Sequence, residues 1–142
     1  MGRTKAILKV RNFGDMQKAA EGLILATAVR TVEIEALVDT GATYVSLPKS
    51  EIEKLGLPFH RNIRIVTANG PASRRLFTGA QIELNGREFL TEVMENGQGT
   101  PALVGYLLLE ALDLVVDPKS QQVIPNPAHE GEWVADAYGI GF

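Results

Sequence analysis

The chain has 142 residues, 45% of them hydrophobic, no cysteine and a formal net charge of −3. That is enough apolar material for one domain, 1–142, with a real core, and too short a chain for two full lobes. Scattered Lys and Arg on an acidic background offer no face for nucleic acid, the missing cysteines remove disulfides and thiolate metal sites, and no apolar run approaches the ~20 residues of a membrane span.

Residues 1–10 alternate charged with apolar side chains, unlike a signal peptide, and Ala6 stands where a myristoylation start wants Ser or Thr. The expectation is a soluble, cytoplasmic protein with no membrane partner.

In chain order, residues 6–10 read as a first strand, closed by a loop over 11–18 that holds Asn12, Gly14 and Asp15. Residues 23–29 and 32–38 are apolar and β-branched enough for two more strands, the second ending at Asp39. Residues 44–47 continue extended; Pro48 then opens a short helix with Ile52 and Leu55 on one face and Gly56 as its stop. Strands over 63–68 and 74–84 flank the turn Asn69-Gly70-Pro71, and Asn85-Gly86 joins the latter to a strand over 87–94 as a type I′ hairpin signal.

The two Asn-Gly turns differ in surroundings. Asn85-Gly86 has the apolar flanks Ile82, Leu84, Phe89 and Leu90 and reads as scaffold, whereas Asn69-Gly70 is flanked by Arg64, Arg74 and Arg75, as suits a projection into solvent. Gly97-Gln98-Gly99 runs into Thr100-Pro101, so no helix begins there to hold a phosphate and the segment reads as a loop. An apolar strand over 102–104 then meets Gly105, a short helix covers 106–112, a strand covers 114–117, and 122–124 returns as another. The tail 126–142 carries Trp133, Tyr138 and Phe142 without a clear period, so packing on the body and a place in a dimer interface both stay open.

The octet Ala36-Leu37-Val38-Asp39-Thr40-Gly41-Ala42-Thr43 puts one carboxylate on a tight turn directly after an apolar strand. Such a group is costly to ionise unless it is hydrogen-bonded, and the following Gly lets backbone come close enough to do so. His60 and His129 are far apart and lack metal-pair spacing, and Ser46 and Ser50 have no nucleophile-elbow glycines. Neither a metal nor a cofactor is expected.

The octet resembles the active-site loop of the retropepsin-like aspartic proteases, and Ala102-Leu103-Val104-Gly105 with the helix behind it resembles that family's second, apolar-apolar-Gly element. The resemblance spans most of residues 32–124 and is closest to the bacterial and archaeal single-domain members. It implies a mainly β, retropepsin-like half-barrel with one or two short helices, closed as a homodimer. It implies further that Asp39, Thr40 and Gly41 are catalytic, that Ala42, Thr43, Leu103 and Val104 border the substrate, and that Ala68, Asn69 and Gly70 form the tip of a covering flap. Two departures are visible: Tyr106 stands where retroviral members usually carry Arg, and the flap is poorer in Gly, with Pro71 behind its tip.

Peptide hydrolysis by carboxylates needs two of them sharing one proton, one to take a proton from water and one to protonate the carbonyl oxygen. The chain has a single Asp-Thr-Gly, so the second carboxylate is expected from Asp39 of another copy. The expected function is thus an aspartic endopeptidase acting on peptide or protein substrates. The alternative is a weakly active or inactive binding or oligomerisation module on the same fold.

Overall fold

A computed structural model describes residues 3–135; Tyr138 and Phe142 of the tail lie outside these. The element order is β1 (Lys5–Asn12), α1 (Phe13–Ala20), a 3₁₀ turn (Ala26–Ala28), β2 (Thr31–Val38), β3 (Ser46–Leu47), α2 (Lys49–Leu55), β4 (Phe59–Thr67) and β5 (Gly70–Leu84). After these come β6 (Arg87–Glu95), β7 (Leu103–Val104), α3 (Tyr106–Leu112), β8 (Leu114–Asp117), β9 (Gln122–Pro125) and a second 3₁₀ turn (Pro127–His129).

The main sheet runs β1-β2-β7-β3-β6-β5-β4, and an added pairing of β1 with β5 closes six of these strands into a barrel, leaving β4 outside it. The expectation of a mainly β, retropepsin-like fold with few short helices is borne out. Alternation explains the barrel's filling: Ala6, Leu8, Val10 and Asn12 of β1 point inward while their neighbours face outward or toward the rim. With Leu47, Ile82, Leu84, Val93 and Val104 they make a core of side chains at most 8% exposed. Each large apolar side chain so buried stabilises the fold by roughly 1.5–3 kcal/mol before chain entropy is set against it.

Two of the helices add side chains to the core. α2 buries Ile52 and Leu55 and stops at Gly56, whose φ of 62° is the left-handed C-cap predicted for it. α3 buries Leu108, Leu109 and Leu112. The β8–β9 hairpin follows, turned by Asp117, whose carboxylate accepts from Lys119 N at 3.1 Å and from Ser120 Oγ at 2.8 Å.

Two segments differ from expectation. Residues 13–20 form α1 rather than a loop, because the Asn12 side chain caps it by accepting from Asp15 N at 2.9 Å. Residues 23–29 form no strand: β1 already has β2 on one side and β5 on the other, so no ladder is free there, and Leu23 and Leu25 stand 68% and 76% exposed. The tail, as far as residue 135, packs on the body. Trp133 Nε1 donates to Ala111 O at 2.9 Å under the Arg87 guanidinium, and Val134 N donates to Asp113 Oδ2 at 3.1 Å.

β5 is the longest strand and bends. Its register against β6 shifts between Phe77 and Ala80, where Gly79 takes φ 81°, so its second half joins the barrel while its first half leaves with β4 as a projecting hairpin. The hairpin's root is held to β6: Arg75 grips Glu95 at 2.7 Å, and Glu92 receives both His60 and Arg61. Partial burial pushes the Glu92 carboxyl up, and the hydrogen bonds from His60 and Arg61 more than offset it, leaving it below its usual value. Among the described residues the hairpin's far end has no such ion pairs, and Val66 there is 88% exposed.

Candidate active site

β2 delivers Asp39. Its last two residues pair in parallel with Leu103 and Val104 of β7, so the chain leaves the sheet at a fixed point, and Asp39 N donates to Val104 O at 2.9 Å. The turn then closes on itself: Ala42 N donates to Asp39 O at 3.0 Å and Gly41 N donates to Asp39 Oδ1 at 3.0 Å. A Cβ on Gly41 would lie 3.3 Å from that same Oδ1, so glycine is what permits the backbone to lie close against the carboxylate.

The loop is also gripped from α3. Tyr106 N donates to Ala42 O at 2.8 Å and Leu107 N to Thr43 O at 3.2 Å, which satisfies two of the helix's first N–H groups with the backbone of the Asp39 loop. Gly105 makes this approach possible: a Cβ there would sit 2.5 Å from Tyr44 O and 2.6 Å from Thr43 C, closer than backbone can yield. The sequence's apolar-apolar-Gly element is therefore a clamp on the Asp39 turn. Tyr106 contributes to that clamp through its backbone N–H, which any residue type but proline could supply in place of an Arg.

Asp39 itself is exposed, and among the described residues no cation lies within ion-pairing distance of it. It stands on the wall of a cleft of about 540 Å³ between its own loop and the β4–β5 hairpin. Gly41, Ala42, Leu103, Ala68 and Asn69 line the same cleft, and Thr43 lines a second hollow of about 410 Å³ on the other side of Ala42. Thr40 is exposed beside Asp39, on neither wall. Val104 is fully buried in the core and reaches the site only through its carbonyl. Gly70 closes the hairpin turn with φ 103° rather than lining the cleft.

At the hairpin's end, Thr67 pairs with Gly70 across the turn Ala68-Asn69; Thr67 Oγ1 donates to Gly70 O at 2.8 Å and accepts from Asn69 N at 3.1 Å. These two hydrogen bonds close the turn on itself at the tip. Ile65, Arg74, Met94, Asn96 and Thr100 also line the cleft, and sequence reasoning did not assign them to it. For Ile65 and Arg74 the signal was the hairpin register: the turn is Ala68-Asn69, one residue earlier than the expected Asn69-Gly70-Pro71, and it sets Arg74 opposite Ile63, on the face that looks at Asp39's loop. Met94, Asn96 and Thr100 come from β6 and the loop after it and had no such local signal. Among the described residues no His, Asp and Glu side chains gather as a metal-holding cluster, and no helix is long and apolar enough to cross a membrane.

The chain matches the family model of the gag-polyprotein putative aspartyl protease over residues 25–111, a span that holds β2, the Asp39 turn, the hairpin, β7 and most of α3. No curated protein matches it at a level that separates relatives from chance similarity. With an Asp-Thr-Gly turn clamped at the edge of a small barrel and a hairpin facing it across a cleft, the chain belongs to that family of retropepsin-like aspartyl proteases.

Proposed function

We propose that the chain is an aspartic endopeptidase that works as a homodimer, with Asp39 of each copy brought together on a two-fold axis. One carboxylate removes a proton from a water molecule as that water's oxygen attacks the peptide carbonyl carbon, while the other gives its proton to the carbonyl oxygen. The tetrahedral diol then collapses: the C–N bond breaks, the nitrogen takes a proton from the dyad, one diol hydroxyl returns its proton to the dyad as its oxygen becomes the new carbonyl, and a carboxylic acid and an amine leave. The dyad ends with the one proton it began with.

The observation that carries this reading is the Asp39 turn: an exposed carboxylate, free of any cation of its own chain among the described residues, on a loop fixed by β7 and α3 and facing a cleft. A group so held is available to a second carboxylate and a water. Thr40, beside Asp39 and away from the cleft, braces the two loops against each other. Gly41, Ala42, Thr43 and Leu103 flank the extended substrate, Ala68, Asn69 and Gly70 cover it, and main-chain hydrogen bonds hold it as an added strand.

Subunit mixing tests the shared site. Wild type and Asp39→Asn, mixed in equal amounts with exchange verified by tagged-subunit capture, should keep about a quarter of the activity of the same total of wild type. Activity linear in wild-type fraction, about half, would sink the two-carboxylate site. Hydrolysis should also be lost as pH rises, because the pair works only while it holds one proton; a rate climbing steadily from about pH 5 to about pH 9 contradicts it.

A further inference from the structure

Arg74 faces the same cleft as Asp39 with most of its hydrogen-bonding capacity unspent, and we infer that it selects substrates carrying an acidic side chain near the scissile bond. The inference rests on the peptidase reading of that cleft and adds to it a substrate class.

The hairpin's arginines have separate fates. Arg75 is spent on Glu95, at 2.7 and 3.2 Å, and lies over Phe77; Arg61 is spent on Glu92. Arg74 is different. Directly opposite residues of an antiparallel pair share a face, so Arg74 joins Ile63 and Ile65 on the cleft side, while Arg75 points to the other. Its only partner among the described residues is the neighbouring Ser73 carbonyl, at 3.0 Å from Nη1. A guanidinium has five N–H donors in a planar fork and stays charged at any working pH, so the rest of the fork is open to an acceptor.

The guanidinium is also placed rather than adrift. A Cβ on Gly97 would stand 3.0 Å from its Nη2, so it lies against bare backbone in the loop after β6. That loop is braced: Asn96 N donates to Leu47 O at 2.9 Å, Asn96 Nδ2 to Pro101 O at 2.6 Å and Thr100 N to Gly97 O at 3.2 Å. Arg74 is half-buried there, and among the described residues Asp39 is the one other ionisable group on the walls of this cleft. A half-buried cation with an open fork, in a cleft whose single acid is reserved for chemistry, is completed by a carboxylate brought in by the substrate. Side chains of Glu or Asp and a peptide's C-terminus share that chemistry; a cleft for internal bonds favours the side chain.

Binding separates this from turnover. C-terminally amidated, fluorescein-labelled dodecapeptides of Ala, Leu and Val, with Glu or Gln moved through each position, are titrated by fluorescence anisotropy against Asp39→Asn protein. In at least one position Glu should bind about tenfold tighter than Gln. Adding Arg74→Gln should bring that ratio to about one, Arg74→Lys should keep part of it, and Arg75→Gln on the opposite face should leave it unchanged. Equal binding of Glu and Gln at every position, or a ratio that survives Arg74→Gln, overturns the proposal. So does an Arg74-dependent gain confined to a Gln peptide with a free C-terminus. If Arg74→Gln dissociates an assembly that the wild type forms, Arg74 belongs to a subunit contact and the proposal falls. Cleavage of the same peptides by wild type is scored apart: a charge ratio without cleavage ends the peptidase reading, and cleavage without a ratio ends this one.

Discussion

Asp15 and Asp39 follow the two neighbouring strands β1 and β2, yet the fold treats them in opposite ways. The Asp15 side chain is 7% exposed and its oxygens receive Arg30 Nε at 2.8 Å, Arg30 Nη2 at 3.0 Å and Arg30 N at 3.0 Å. The Arg30 side chain, hydrogen-bonded to it, lowers the Asp15 carboxyl from its ordinary value to about 2, against the opposing push of burial. Asp39 is exposed and receives one N–H, from Gly41. A carboxylate saturated by an arginine is fixed as an anion and has nothing to trade; one that is held from behind and open in front leaves room for a water and a second acid. The first kind builds structure, and the second is the kind that the proposed peptidase chemistry needs.

The comparison breaks most visibly at Asp39. Asp39→Asn keeps the size and the Gly41 contact and removes the proton-carrying group, so peptide hydrolysis should fall by about a thousandfold or more, while the thermal midpoint moves by no more than about 1 °C. Assays on peptide mixtures and thermal unfolding of the same samples check both halves. Near-wild-type cleavage would place the chemistry on another residue.

At Asp15 the effects should be reversed. Asp15→Asn leaves the Arg30 guanidinium without its carboxylate and should cost about 2 kcal/mol of stability, read by urea unfolding, with cleavage per folded molecule unchanged. Gly56→Ala should approach the same result by another route. The Arg30 guanidinium occupies the place where that Cβ would go, with Nη1 1.9 Å from it, and Gly56 has φ 62°. The added methyl pushes the guanidinium off Asp15 and strains the helix stop.

Acid sharpens the same contrast. Because the folded carboxyl of Asp15 lies at about 2, below its ordinary 3.8, the unfolded chain binds a proton first as pH falls. The stability from the Asp15–Arg30 pair is therefore complete above about pH 4 and is lost as pH falls through about 2. Unfolding free energies across this window should drop less steeply in Asp15→Asn than in wild type. Equal slopes would mean that the pair is not formed in solution.

The sequence exposed these two aspartates unequally. Asp39 was legible because its neighbours are local: strand, Asp, Thr, Gly, with the clamp at Gly105 visible as a second short run. Asp15 read as a loop residue because its partners are remote. Nothing near Asp15 announces that Arg30 will pair with it, or that Asn12 will reach Leu55 O at 2.8 Å and so tie α1 to the end of α2. The false strand over 23–29 has the same cause, since apolar content is local but a free ladder edge is a property of the closed barrel. Arg74 lay between these cases. Its partner strand was adjacent in sequence, and the turn at Ala68-Asn69 fixed its face, so counting the hairpin register would have found it.

The smallest expected effects come from the two hairpin glycines, Gly86 inside its Asn85-Gly86 turn and Gly70 just after the Ala68-Asn69 turn, where scaffold and cleft can be compared at positive φ. Gly70 and Gly86 have φ of 103° and 77°, and a Cβ at either meets nothing within 4 Å, so valine at each position brings strain without collision. The local strain is about 1 kcal/mol at either position, and how much of it reaches global stability depends on how firmly each hairpin is tied to the core. At Gly86 the cost falls on a type I′ turn whose Asn85 also donates to Val123 O at 2.8 Å, tying the β5–β6 hairpin to β9, so Gly86→Val should lower stability and leave turnover per folded molecule alone. At Gly70 the same strain sits in the hairpin end that faces Asp39 across the cleft and has few ties to the core. Gly70→Val should lower kcat/KM by about tenfold with a smaller loss of stability, as the tip loses the geometry in which Thr67 Oγ1 holds it. If both variants lose stability alike and neither loses turnover, the β4–β5 hairpin is scaffold like its neighbour and does not cover the substrate.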